Sequence, residues 1–86
     1  YTPPVTGVGN LRQIHANGTL QINAPGSGPD NFTMVVYVWN AAAATVTLAG
    51  FNKVIGDSPS AIAGGVTFIY ITRIAGICIA NVVKVA

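Results

Sequence analysis

The sequence predicts an all-β protein, a small antiparallel β-sandwich or jelly-roll-like unit of about seven strands. Val, Ile and Thr number 11, 9 and 8 among the 86 residues, and such β-branched side chains favour strands. Ten Gly and five Pro indicate frequent turns. Only 7% of the residues are charged, against about 25% in an ordinary soluble domain. Because so few charges cannot keep a small domain unassociated, we expect a subunit whose surface is covered by neighbours.

The chain length allows one small domain. Its first nine residues contain Pro3-Pro4, which fix an extended backbone, followed by two glycines. We therefore expect an extended N-terminal arm or linker over residues 1–9 and a single β domain over residues 10–86. The first residue is Tyr and not Met, so we also expect a processed chain or a piece of a longer polypeptide.

The dipeptide Asn17-Gly18 predicts the first pair of strands. It tolerates the positive φ angles of a two-residue turn and predicts a hairpin between Leu11–Ala16 and Thr19–Ala24. Pairing around this turn places an apolar set that includes Leu20 and Ile22 on one face. The opposite face is mostly polar, so we expect one side of the hairpin to be solvated.

The middle of the chain predicts a loop and three strands. Residues 25–31 are rich in Gly, Pro and Asx residues and predict a loop. The strand Phe32–Asn40 is apolar on both faces, so we expect both to be covered. The run Ala41–Ala44 is too short for a stable helix and indicates a turn where backbones approach closely. Short strands are predicted over Thr45–Ala49 and Phe51–Ile55.

The end of the chain predicts a long hairpin. Val66–Ile74 and Ile77–Val85 flank Ala75-Gly76, and a two-residue loop pairs Ile74 with Ile77. Both faces of this hairpin are apolar at the centre, and each Ile or Val is worth about 1.5–3 kcal/mol on burial. One small sheet can cover one of its sides with its own chain, so the second side is the predicted interface between copies. The predicted interface residues are Tyr37, Trp39, Ile69, Ile71, Ala80 and Val82.

The titratable residues predict no enzyme. His15 lies on the apolar face of the first hairpin, and Asp30 and Asp57 occur in turns where Asp is common. Cys78 lies in an apolar run. Because it is the single cysteine, an internal disulfide and a cysteine-based zinc site are excluded. The sequence leaves two alternatives open, a His15–Cys78 dyad and a metal site formed by His15 with the two Asp. We expect no catalytic residues, no cofactor and no metal.

Charge and hydropathy exclude two classes of partner. The net charge of +2 comes from four basic and two acidic residues that form no cluster, so we expect no nucleic acid partner. The most apolar stretch, residues 66–86, contains Arg73, Asn81 and Lys84. An Arg in mid-span costs about 2.5–3.5 kcal/mol, so we expect no membrane insertion.

Three aromatic residues leave one binding function open. Tyr37, Trp39 and Tyr70 belong to the residue types that stack on sugar rings. Interfaces between protein chains favour the same residue types, and we expect interface packing to be their main role.

A further pattern is formed by a set of strand and turn segments, namely residues 10–11, 18–22, 31–40, 45–51 and 64–71 together with the closing hairpin. These segments resemble a bacteriophage module, a small β-unit often found near the C-terminus of tail fibres and tailspikes. The resemblance implies a homotrimer around a threefold axis on the virion exterior, without catalytic residues, and with other virion proteins as further partners. Family members commonly carry aromatic residues near the chain end, where this sequence has Ile77, Ile79 and Val82, and this departure weakens the case for receptor binding.

Two other functions remain open at the level of sequence. A trimeric capsid decoration (cement) protein that stabilises the phage head fits the composition, because an extended arm reaches neighbouring subunits. A natural start at Tyr1 favours decoration, and an internal position favours a fibre. The other alternative is a carbohydrate-binding receptor module that contacts a host-surface glycan.

Overall fold

The computed structural model describes residues 1–5, 10–26 and 31–86, and it forms seven strands within them. No helix long and apolar enough to span a membrane occurs in these ranges. The strands are β1 (Leu11–Ala16), β2 (Thr19–Asn23), β3 (Phe32–Asn40), β4 (Thr45–Ala49), β5 (Lys53–Gly56), β6 (Val66–Ile74) and β7 (Ile77–Lys84).

The strands form two sheets. Five of them make one mixed sheet in the order β1-β3-β6-β7-β5, and β2 pairs with β4 in a small second sheet. The prediction of an all-β chain with about seven strands is confirmed. The expected antiparallel arrangement is wrong for three pairings, because β1·β3, β2·β4 and β5·β7 are parallel.

The Asn17-Gly18 dipeptide is a corner between the two sheets, and the predicted hairpin is wrong. Gly18 has a φ of +124°, as expected for this dipeptide, but β1 and β2 lie in different sheets. The next two strands repeat the same path, so β3 lies beside β1 and β4 beside β2. Backbone N–H groups of Ala41 and Thr45 donate to the carbonyls of Ala16 and Gly18, at 2.8 and 3.1 Å. The alanine run therefore forms a second corner stacked on the first, where small side chains permit close approach.

The core lies between the two sheets. In β3, side chains alternate between buried and more exposed positions, and Val36 and Val38 are fully buried. Ile69 of β6 is equally inaccessible, and Ile22 and Val46 of the small sheet belong to the same cluster. The small sheet thus covers one face of the large sheet, which we call the inner face. The buried apolar side chains are Ala16, Ile22, Phe32, Met34, Val36, Val38, Ala44, Val46, Ile69, Ile71, Cys78, Ala80 and Val82.

The C-terminal hairpin forms as predicted. Ile74 is paired with Ile77, and the two turn residues Ala75 and Gly76 have φ angles of 52° and 79°. Positive φ at both positions is the geometry that matches the twist of a two-residue hairpin. The last strand ends at Lys84, one residue before the predicted boundary.

The described part of the N-terminal segment does not extend away from the domain. The backbone nitrogen of Tyr1 donates to the carbonyl of Gln21, and the N–H of Asn23 donates to the carbonyl of Tyr1, both at 2.7 Å. Pro3 is buried. Tyr1 therefore lies beside β2, while the carbonyl of Pro4 accepts a hydrogen bond from the guanidinium of Arg12 on β1. The rest of the predicted arm, residues 6–9, lies outside the described residues.

One buried polar side chain fixes the loop that precedes β6. The Asn40 amide nitrogen donates to the carbonyls of Ser60 and Ile62, at 2.8 and 3.0 Å. The backbone N–H of Gly64 donates to the Asn40 carbonyl at 2.7 Å. The end of β3 thus holds the chain as it enters β6, the central strand of the large sheet.

Candidate assembly surface

The five-stranded sheet has a second face, opposite the inner face, which the described residues leave open to solvent. We call it the outer face. Strand alternation and register define its members. They are Leu11, Gln13 and His15 of β1; Thr33, Val35, Tyr37 and Trp39 of β3; Val66, Phe68, Tyr70, Thr72 and Ile74 of β6; Ile77, Ile79, Asn81 and Val83 of β7; and Lys53 and Ile55 of β5.

Aromatic rings occupy the middle of the outer face. Tyr37 and Phe68 are cross-strand partners, and their rings meet edge to face with centroids 5.4 Å apart. The Phe68 and Tyr70 rings lie nearly parallel, with centroids 6.2 Å apart. Toward one end of the face, the rings of His15 and Trp39 meet edge to face at 4.9 Å. Two of these ring pairs form across neighbouring strands and the third forms along β6. Such pairs add about 0.5–1.5 kcal/mol each beyond area burial.

Large apolar side chains on this face remain accessible. Leu11 is 72% exposed, Tyr70 is 43% exposed and Trp39 is 36% exposed. Scattered apolar residues are normal on a protein surface, whereas a contiguous apolar face is uncommon on a soluble monomer. The outer face belongs to the second kind, because its strands bring these residues next to one another.

The outer face is nearly free of charge. Its only Lys, Arg, Asp or Glu residue among those described is Lys53, which lies on β5 at the margin of the sheet. The guanidinium of Arg12 donates to the carbonyls of Leu11 and Pro4, and that of Arg73 donates to the carbonyl of Pro25. These cations are therefore committed to the chain's own backbone, and the outer face offers no patch for phosphate groups.

Part of the outer face is concave. A depression of about 320 Å³ lies near β1, at the low end of the size range for small-molecule sites. Its lining combines two aromatic residues, an amide and an arginine with two aliphatic residues. The lining residues are Leu11, Arg12, Gln13, Val35, Tyr37 and Phe68.

Four of the six predicted interface residues are not on a surface. Ile69 and Ala80 are 0% exposed, and Ile71 and Val82 are 1% exposed, because their side chains point inward under the small sheet. They cannot contact a second copy without opening the core, so this part of the prediction is wrong. The other two, Tyr37 and Trp39, lie on the outer face. The prediction combined residues from opposite faces of one sheet.

The structure separates the residues considered for catalysis. His15 points to the outer face from β1, whereas Cys78 is buried on the inner face of β7, so the two form no dyad. Asp57 is exposed, and one of its carboxylate oxygens accepts the backbone N–H of Lys84 at 3.0 Å. Asp30 lies outside the described residues. In the part of the chain that is described, no three His, Cys, Asp or Glu side chains cluster as metal ligands would.

A second depression, of about 420 Å³, lies where β7 meets the small sheet. Arg73 and Cys78 line it together with Asn52, whose side-chain oxygen accepts the Cys78 N–H at 2.8 Å. Burial raises the pKa of the Cys78 thiol above its ordinary value of 9.0, and the nearby Arg73 charge acts in the opposite direction. The thiol is therefore protonated at neutral pH and is a poor nucleophile.

No protein-family model matches the chain, and no curated protein or solved structure matches it. The outer face, with its aromatic centre and its single charged residue among those described, is accordingly the feature of the molecule that points to a function.

Proposed function

We propose that this chain is a non-enzymatic structural module on the exterior of a bacteriophage virion, where three copies form part of a tail fibre or tailspike. The outer face carries the proposal, because it is a contiguous apolar surface on a chain that has few charges anywhere. Surfaces of this kind mark places where proteins associate. The resemblance of the strand and turn segments to phage tail modules supplies the virion context.

The chemistry of the described residues supports a role without catalysis. General acid–base catalysis needs titratable groups within reach of one another. His15, Cys78 and Asp57 lie on different parts of the fold, and the Cys78 thiol is protonated. A binding or assembly role needs apolar surface area and aromatic rings, and the outer face provides both.

Two measurements test this proposal. Native mass spectrometry of the isolated chain is expected to give three times the 8.8 kDa mass of one copy. Immunogold electron microscopy of the phage that encodes the chain is expected to label the tail. A monomeric mass would contradict the homotrimer, labelling of the head would favour the decoration protein, and particles without label would contradict a virion role.

Carbohydrate binding is the second candidate. Tyr37, Trp39 and Tyr70 share the outer face, and the depression beside Tyr37 has the size of a small ligand site. If this candidate is correct, the chain binds members of a glycan array, Trp39→Ala abolishes that binding, and the control Val83→Ala on the same face retains it. Binding that survives Trp39→Ala, or no binding by the native chain, would exclude this site.

A further inference from the structure

We propose that the three copies pack through their outer faces as a triangular prism, with the central strand β6 of each copy nearest the threefold axis. This inference rests on the proposed homotrimer and identifies the surface that forms it. In the order β1-β3-β6-β7-β5, two strands lie on each side of β6. The outward side chains of β6 therefore form the midline of the outer face.

The size of the side chains on this midline fits three copies. Five strands spaced about 4.8 Å apart make a face about 24 Å wide, and three such faces form a triangle whose centre lies about 7 Å from the middle of each side. Two sheets packed face to face are instead about 10 Å apart, which leaves about 5 Å on each side. Phe68 and Tyr70 carry rings long enough to reach the centre of the triangle.

The absence of charge on the midline fits contact between identical copies. On a threefold axis each residue approaches its own equivalents, so a charged midline residue would meet like charges. The outward side chains of β6 are all uncharged, and the one charged residue of the outer face, Lys53, lies on the edge strand β5. This edge is farthest from the proposed axis.

Each outer face measures about 24 by 20 Å, so the three faces together cover about 1,400 Å² in projection. Each pair of copies shares about a third of this area, which is less than the roughly 1,200–2,000 Å² of a standard interface between two chains. No two copies are therefore expected to form a stable dimer through this face, and the prism requires all three contacts to close together.

The strand directions also allow the prism to close. β1 is parallel to β3, β3 and β7 are each antiparallel to β6, and β5 is parallel to β7, so the two edge strands run in the same direction. A threefold axis along the strands preserves their direction, and it brings β1 of one copy beside β5 of the next as parallel neighbours. Each exposed sheet edge is then shielded by another copy.

One substitution on the midline tests this arrangement, with a control on the small sheet. In Tyr70→Lys three like charges would meet near the axis, and Tyr70 is accessible enough in one copy for the fold to survive. We expect this variant to be monomeric by native mass spectrometry, with a circular dichroism spectrum like that of the native chain. Thr47→Lys, at an exposed position of β4, is expected to remain trimeric.

The native chain provides a second measurement that needs no variant to fold. Trp39 is the only tryptophan and lies on the outer face. Dilution that lowers the mass from trimer to monomer is expected to shift Trp39 emission to longer wavelength, because the indole becomes more hydrated.

The outcomes separate this inference from the proposed function. A trimeric Tyr70→Lys, or a trimer that dissociates without a change in Trp39 emission, would leave the homotrimer standing and overturn the outer face as its interface. A native chain that is monomeric would overturn both. In that case, a change in Trp39 emission on addition of glycan would show that the outer face binds carbohydrate.

Discussion

At the scale of the residue, exposure determines what a side chain of this protein can do. Trp39 and Tyr70 remain accessible and can contact a partner, whereas Cys78, at 3% exposed, cannot. The same distinction applies to Arg73, whose guanidinium already donates to the carbonyl of Pro25 at 2.8 Å. Cysteine and arginine are residue types that often bind or react. Cys78 and Arg73 have structural roles here, because the first is buried and the second is hydrogen-bonded to the backbone.

The buried Cys78 thiol predicts how stability depends on pH. Its pKa is raised in the folded chain by burial, while the unfolded chain releases the proton near the ordinary value of 9.0. Above this pH the unfolded form binds fewer protons than the folded form, so the free energy of unfolding falls as pH rises. Urea titrations between about pH 8 and pH 10 are expected to show this fall and a smaller one in Cys78→Ala, which lacks the thiol. Equal slopes for the two chains would contradict the effect of burial.

At the scale of the element, the sequence predicts a turn whose geometry depends on adjacent residues. It does not predict which strands pair when they are distant in the chain. The Ala75-Gly76 turn fixes the register of the hairpin it joins, and the sequence predicted that register. Asn17-Gly18 carries a stronger turn signal, but the partners of β1 and β2 are β3 and β4, which come later in the chain. A positive φ at Gly18 serves a corner between sheets as well as it serves a hairpin.

The sequence of the hairpin alone also does not determine which of its two faces is buried. Ile69 and Ile71 alternate along β6 with Phe68 and Tyr70, and both sets are apolar. The position of the small sheet decides which of the two sets is buried. That position depends on residues far away in the sequence. The expected interface therefore included residues from both faces.

The hairpin turn contains a residue that a substitution can improve. Ala75 has a φ of 52°, a left-handed conformation that costs an L-residue with a Cβ about 1–2 kcal/mol. Asn tolerates this conformation better, so Ala75→Asn is expected to raise the free energy of unfolding by about 0.5–1 kcal/mol. Chemical denaturation measures the change. Ala63→Asn is a control at an exposed turn position without positive φ, and an equal gain there would show that strain at Ala75 is not the cause.

At the scale of the whole molecule, the composition of the surface, and not its size, favours association. The chain exposes 4672 Å², close to the value of about 4,800 Å² for a compact monomer of this mass. Its radius of gyration of 12.2 Å is also close to the expected value of about 12 Å. A single copy thus packs as tightly as an ordinary small domain. The outer face, not an incomplete core, is the reason to expect partners.

Two neighbouring residues of β6 provide the last prediction, because they point to opposite faces of the same sheet. Ile71 is 1% exposed in the core, and a buried carboxylate without a partner costs several kcal/mol. The whole folding free energy of a small domain is only about 5–15 kcal/mol. Ile71→Asp is therefore expected to unfold the chain, and its effect on assembly follows from this unfolding, since the side chain does not reach a second copy.

Circular dichroism and native mass together distinguish the two positions. Ile71→Asp is expected to lose the β-sheet spectrum, whereas Tyr70→Lys is expected to keep the spectrum and lose the trimer. Ile71→Val is the matched control, and it should keep both at a cost of about 0.5–1.5 kcal/mol. A folded but monomeric Ile71→Asp would mean that the inner face is the one between copies, and it would reverse the assignment of the two faces.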